Sequence, residues 1–91
     1  MNDIKIREII IDCLKKIVGE DSVYNLDNID NDTSLLSIGV NSLNVIKIII
    51  LLEEDFNISF EDEDIAMKNW KDINSIISVI KRRMNKWIFL N

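Results

Sequence analysis

The chain has 91 residues, of which 47% are hydrophobic and 30% charged, with a formal net charge of −5 and no histidine. That length holds one domain with one modest core, and the mixture is that of a globular chain. The acidic balance excludes a general nucleic-acid binder, which needs a basic face, and a single cysteine, Cys13, excludes an internal disulfide or a cysteine-rich zinc cluster.

Residues 1–7 are polar and charged, and the apolar run after them is broken by Asp12, Lys15 and Lys16, so no signal peptide is expected. No apolar stretch is long enough to span a bilayer; residues 45–52 are apolar but contain Lys47. The expectation is one domain over residues 1–91, monomeric and cytoplasmic, with neither membrane nor nucleic acid as partner.

Ile6, Ile9, Ile10, Cys13, Leu14 and Ile17 form one apolar stripe at helical spacing and predict the first helix. Asp3 and Glu8 lie early and Lys15 and Lys16 late, as the helix dipole favours. Gly19 is placed to close this helix in a left-handed conformation. The polar stretch 20–41 is too long for a tight turn and must cross the surface between distant helix ends. Val23, Tyr24, Leu26, Ile29, Leu35, Leu36 and Ile38 are the residues expected to pin it to the core.

The second helix is predicted from Ser42 to near Phe56, with Ser42 read as its N-cap. Val45, Ile49, Leu52 and Phe56 make its core face, flanked by Ile46 and Ile48. Leu43, Lys47, Ile50 and Glu54 make a second stripe with two large apolar members. Either that stripe meets a partner or the helix is buried on more than one side; periodicity leaves both open. Asn57 and Ser59 break the helix, and Ile58 and Phe60 alternate inward.

The stretch "EDEDIAM" is predicted to form a short third helix whose acids, 61–64, are solvated. The last helix starts at the N-cap Asp72 and carries the stripe Ile73, Ile76, Ile77, Ile80, Met84 and Trp87. Lys81, Arg82, Arg83 and Lys86 gather toward its C-terminal end. The apolar tail 87–91 is expected to cover the open end of the bundle. Its other reading is a docking peptide steered by those four cations. The fold class is therefore all-α: a small four-helix bundle of three main helices and one short one, with a long first loop.

Ser42 as a catalytic nucleophile would need a base and an orienting acid. There is no histidine, and the G-x-S-x-G elbow is missing. "DNIDNDTSLL" hints at a calcium loop through Asp30 and Asp32, but Leu35 and Asn41 stand where glycine and glutamate are required. With only Gly19 and Gly39, no phosphate-cradling loop is present. No catalytic residue and no metal site is expected.

The segment "DTSLLSIGVNSLNVIKIIILLEEDFNISFEDEDI" resembles the acyl carrier and peptidyl carrier protein family. Asp32, Thr33, Leu35, Ile38, Gly39, Asn41, Ser42 and Leu43 fall in register with the family pattern D-[TS]-x-[LF]-x-x-[LI]-G-x-[DN]-S-L. Glu53, Glu54, Phe56, Ile58 and the acids at 62–64 follow, and "NWKDINSIISVI" is similar to the family's lead into its last helix. The likeness reaches to about Met84. It implies that Ser42 accepts 4′-phosphopantetheine from coenzyme A through a separate phosphopantetheinyl transferase. The chain is then a stand-alone carrier and not an enzyme, and the missing histidine is accounted for.

The resemblance also implies that Gly39 and Asn41 shape the attachment site and that partners dock beside it at Leu43. Lys47, Ile50 and Glu54 extend that surface. The arm's thiol would hold acyl or aminoacyl groups as thioesters. A loading (adenylating) enzyme and condensing or transferring synthase enzymes would be the partners. Asn41 departs from the aspartate most members have, which removes an ionic contact to the transferase. Lys47 departs from the strongly acidic second helix of fatty-acid carriers, which points to a nonribosomal-peptide-like or polyketide-like pathway. The alternatives are a fatty-acid synthesis acyl carrier protein, with the acyl chain held in the Ile-rich core, and a non-modified helical adaptor of carrier-like fold.

Overall fold

The computed structural model describes the backbone of residues 2–19 and 24–90, and the side chains of these up to residue 85. Three helices make the body: α1 (Asp3–Val18), α2 (Ser42–Phe56) and α3 (Ile73–Leu90). Three short 3-10 turns lie between them, at Leu26–Asn28, Leu36–Ile38 and Met67–Trp70. No strand occurs among the described residues. The all-α bundle with a long first loop is thus the fold.

Asn2 caps α1 by accepting the Lys5 N–H at 2.9 Å, and Asp3 and the pair Lys15 and Lys16 sit at the ends the dipole favours. α1 packs against both α2 and α3. Its buried arc is therefore wider than one stripe: Ile11 joins Ile6, Ile10, Cys13 and Leu14, while Ile9 and Ile17 are half-buried at its edges. Gly19 ends the helix, but not in the left-handed helical conformation expected. Its φ of 84° comes with an extended ψ of 162°, a region open essentially to glycine, and its N–H still reaches the Lys15 carbonyl at 2.9 Å. The Cys13 thiol is fully buried and donates to Asp55 Oδ2 at 3.4 Å. Burial pushes its pKa up to about 12, and the Asp55 carboxylate adds to the rise.

The first loop is held by Leu26, Leu35, Ile38 and Val40, all buried, with Ile29 half-buried. Leu36 is exposed, contrary to expectation, because Leu35 and Ile38 take the inward side of the 3-10 turn. Tyr24 is exposed too, and its hydroxyl donates to the Ser37 carbonyl at 3.3 Å; Val23 lies outside the described residues. Polar bonds complete the tether. Arg7 donates to Asn31 Oδ1 at 2.8 Å, to the Asp27 carbonyl at 3.2 Å and to the Ile29 carbonyl. At the other end, Leu35 N–H bonds the Lys71 carbonyl and Asn74 N–H the Asn31 carbonyl, each at 2.9 Å. Arg7→Ala is expected to lower stability by about 1–3 kcal/mol through these lost charge-assisted bonds. Urea unfolding checks the loss, and hydrogen exchange should quicken at residues 27–31.

The cap of α2 is Asn41, not Ser42. Asn41 accepts the Asn44 N–H at 2.9 Å and Asn44 returns the bond to the Asn41 N–H at 3.0 Å. Asparagine caps as well as serine does, and here residue N3 can reciprocate, so the register shifts by one. Asn57, left-handed at φ 53° and ψ 50°, closes the helix onto the Glu53 and Glu54 carbonyls. Val45, Ile48, Ile49 and Leu52 are buried and Phe56 half-buried. Ile46 is 54% exposed and does not flank the core. It lies about 40° around the helix from Ile50, so it belongs to the outer face.

Leu43, Lys47, Ile50 and Glu54 are all exposed, which resolves the two readings of that stripe against all-round burial. Ile49→Ala is accordingly expected to cost roughly 2–5 kcal/mol as a buried cavity, whereas Ile50→Ala should move the unfolding midpoint by less than about 0.5 kcal/mol. Equal losses at both positions in chemical denaturation would contradict this placement.

Ile58 and Phe60 turn inward as expected. The short helix does not form on the acids. Residues 62–65 make turns, and the 3-10 helix comes later, at Met67–Trp70. The cause is Asp64, which is fully buried rather than solvated. Its Oδ2 accepts the Glu61 N–H at 2.9 Å and the Arg83 Nε–H at 2.9 Å, with Arg83 Nη2 as a third donor. Its carbonyl accepts Trp70 Nε1–H at 2.9 Å and Asn69 Nδ2–H at 3.0 Å. Trp70 in turn stands edge-on to Phe60, ring centres 5.3 Å apart.

Asp72 caps α3 through the Ser75 N–H at 2.8 Å. Ile73, Ile76, Ile77, Val79 and Ile80 are buried, and Met84 is half-buried. The basic end of α3 is not a free steering cluster. Arg83 is buried against Asp64, Arg82 lies 3.6 Å from the same carboxylate, and Lys81 pairs with Asp3 at 2.9 Å. The Lys86 and Trp87 side chains and the tail contacts expected of them lie outside the described residues.

Candidate functional site

The approach to α2 is built one residue at a time. Leu35 and Ile38 are buried and fix the 3-10 turn. Gly39 then reverses the chain at φ 93° and ψ 8°, its N–H on the Leu36 carbonyl at 3.2 Å. A Cβ there would meet nothing within 4 Å, so conformation rather than space requires the glycine. Val40 is buried and anchors the exit through its N–H to the Leu35 carbonyl at 3.0 Å. Asn41 caps the helix, and Ser42 follows as its first residue, exposed.

Because Asn41 and Asn44 make the capping bonds, the Ser42 hydroxyl is not needed for them. The N–H groups of the first turn point out of the helix beside it, and the dipole favours an anion at that end. Ser42 also lines a groove of about 290 Å³ with Leu35, Val40, Val45, Met67, Trp70 and Lys71. None of the ten lining residues is Asp, Glu, His or Cys. The one titratable side chain in the lining is Lys71, and no carboxylate stands there to orient it as a base. Among the described residues, no cluster of three or more His, Cys, Asp or Glu could hold a metal ion. No helix among them is long and apolar enough to cross a membrane.

Gly39, Asn41, Ser42 and Leu43 come together as one turn and helix start. Lys47 and Ile50 continue outward along the same face, and Glu54 lies about 18 Å from Ser42 along the axis. Sequence reasoning missed Met67, Trp70 and Lys71. They arrive from a segment more than twenty residues downstream, and no local spacing links them to Ser42. Ile46 was assigned to the core edge, and the angular count around the helix was the signal that assigns it outward.

Ser42 is thus an exposed serine at a helix mouth, beside a groove. A family model described as a phosphopantetheine attachment site matches residues 8–80. The chain belongs to that family of phosphopantetheine-bearing carriers. Its cofactor is 4′-phosphopantetheine, and its partners are enzymes of the transferase and synthase kind. The residues present fit the group: an exposed hydroxyl, the first-turn N–H groups that the Asn41 cap leaves unused, and a largely apolar groove beside both.

Proposed function

We propose that Ser42 carries the arm and that residues 1–91 form one carrier domain. The observation that supports it is the capping of α2 by Asn41, which leaves the neighbouring hydroxyl exposed at the positive end of the helix. The arm supplies a terminal thiol that holds acyl or aminoacyl groups as thioesters. The chain's own residues do the rest. Gly39 and Val40 fix where the serine stands, and the first turn of α2 stabilises the phosphodiester. The chain itself catalyses nothing in this reading; it keeps a tethered substrate at high effective concentration for its partners.

The pathway we infer is a specialised one, nonribosomal-peptide-like or polyketide-like. From Ser42 to Leu52 the only charged residue is Lys47. Leu43, Ile46 and Ile50 are exposed around it. A partner for such a face docks by apolar contact, with Glu54 as an acidic rim. The transferase, an adenylating loading enzyme and a condensing or transferring synthase would meet it there. The work takes place in the cytoplasm, where coenzyme A is available. The experiment is incubation with coenzyme A, magnesium and a promiscuous phosphopantetheinyl transferase, followed by intact mass and peptide mapping. One added arm on the peptide containing Ser42 is the expected result; no addition, or an arm elsewhere, overturns the assignment. The thioester found on protein from the native host tests the pathway.

A further inference from the structure

We propose that Lys71 pairs with the phosphodiester of the attached arm and holds the arm's first segment over the groove beside Ser42. This rests on the reading of Ser42 as the attachment point. Lys71 and Ser42 line the same groove, and Lys71 is the only charged residue among its ten lining residues. Its backbone is fixed there, since its carbonyl accepts the Leu35 N–H at 2.9 Å.

Of the lysines without an ion pair among the described residues, Lys16, Lys47, Lys68 and Lys71, only Lys71 lines the groove. Lys5 pairs with Glu8, Lys81 with Asp3, and Arg82 and Arg83 with Asp64. Arg7 is spent on the first loop. Lys71 is exposed and has no ion pair among the described residues. The adjacent acid, Asp72, is turned to the Ser75 N–H and caps α3. In a chain of net charge −5, the groove is thus a locally cationic place.

A phosphodiester carries a negative charge at every working pH and is bonded to the Ser42 oxygen, so its position is fixed near the groove mouth. A lysine suits it as a flexible point charge that can follow a mobile arm. The apolar walls, Val40, Val45, Met67 and Trp70, then lie under the uncharged part of the arm. The consequence is directional. The arm is drawn to the groove side of Ser42 and away from Leu43, Ile46 and Ile50, so the outer face of α2 stays uncovered for partners.

The test uses the wild type, Lys71→Gln and, as a control, Lys16→Gln on exposed α1 surface, each loaded from coenzyme A. Intact mass comes first: absence of the arm on wild type defeats the Ser42 reading itself, whatever Lys71 does. On loaded protein, the ³¹P resonance of the phosphodiester is followed from low to high salt, where the pair is screened. The wild-type resonance should move with salt. In Lys71→Gln that movement should fall by at least half, with the low-salt position already near the screened one, while Lys16→Gln behaves as wild type. The change in the Trp70 indole N–H signal on loading should shrink in parallel. Identical salt responses in wild type and Lys71→Gln, with both variants folded by circular dichroism, overturn the proposal.

Discussion

Ser42→Ala should abolish loading from coenzyme A while leaving a folded protein. The loss is expected to be complete because, among the described serines, Ser42 alone is the exposed first residue of an α-helix; Ser75, in the first turn of α3, is half-buried. Ser37 and Ser78 have their hydroxyls bonded to the Ser34 and Asn74 carbonyls, and neither stands at the N-terminus of a helix. The fold should survive because Ser42 is not the cap. Alanine is a good residue for the first helical turn, so the unfolding midpoint should stay within about 0.5 kcal/mol of wild type. Asn41→Ala is the informative contrast, since it removes the side chain that caps α2 and should cost about 1 kcal/mol. Intact mass after the transferase reaction and a thermal melt read the two effects separately. An arm on the alanine variant would sink the attachment assignment.

The largest loss of stability is expected at Asp64. Asp64→Ala strands the Arg83 guanidinium, which is only 7% exposed, with no buried counter-charge. Breaking such a pair from one side costs about 3–5 kcal/mol, a large share of what holds a domain of this size. Glu61 and Glu63 approach Arg83 at 3.2 and 3.9 Å, but both are exposed and compensate little. Replacing both partners by apolar residues, Asp64→Leu with Arg83→Met, should recover much of the loss.

The pH dependence has a definite sign. Burial alone would raise the Asp64 pKa, but the Glu61 N–H and the Arg83 guanidinium outweigh it and hold the carboxyl below its ordinary 3.8. A depressed folded pKa means the pair's contribution is complete above the ordinary value and is lost as pH falls below it, through the folded pKa. Urea unfolding from neutral to acid pH should show that limb in wild type and a flatter one in the double variant. A loss under about 1 kcal/mol for Asp64→Ala at neutral pH would mean the carboxylate is not what clamps this segment.

Most of the fold was legible because helices announce themselves locally. The stripes on α1, α2 and α3 and the Asp72 cap could be read from spacing alone, and the bounds of α2 came out at Ser42 and Phe56. What could not be read depends on partners far away in the chain. A run of four acids looks solvated by composition; that Asp64 is buried follows only once Arg83, 19 residues on, is folded back over it. The same holds for the groove, whose Met67, Trp70 and Lys71 reach Ser42 only through the tertiary fold. The cap of α2 was missed for a subtler reason: two adjacent residues are both good caps, and Asn44 at N3 decides between them. At the candidate site, the Gly39 to Leu43 segment was legible as a motif, and the groove was not.

The burial of Cys13 has a chemical consequence for a protein whose task is to keep a thioester intact. Transthioesterification needs a thiolate, and a thiol pushed up to about 12 offers almost none at neutral pH. Cys13 is the chain's only cysteine, and there is no histidine to stand in as a nucleophile. The carrier therefore offers neither a ready thiolate nor an imidazole of its own to discharge an activated cargo. The same burial keeps the arm's free thiol from closing an internal disulfide with Cys13, so mild oxidation of the loaded, uncharged protein should give dimers joined arm to arm.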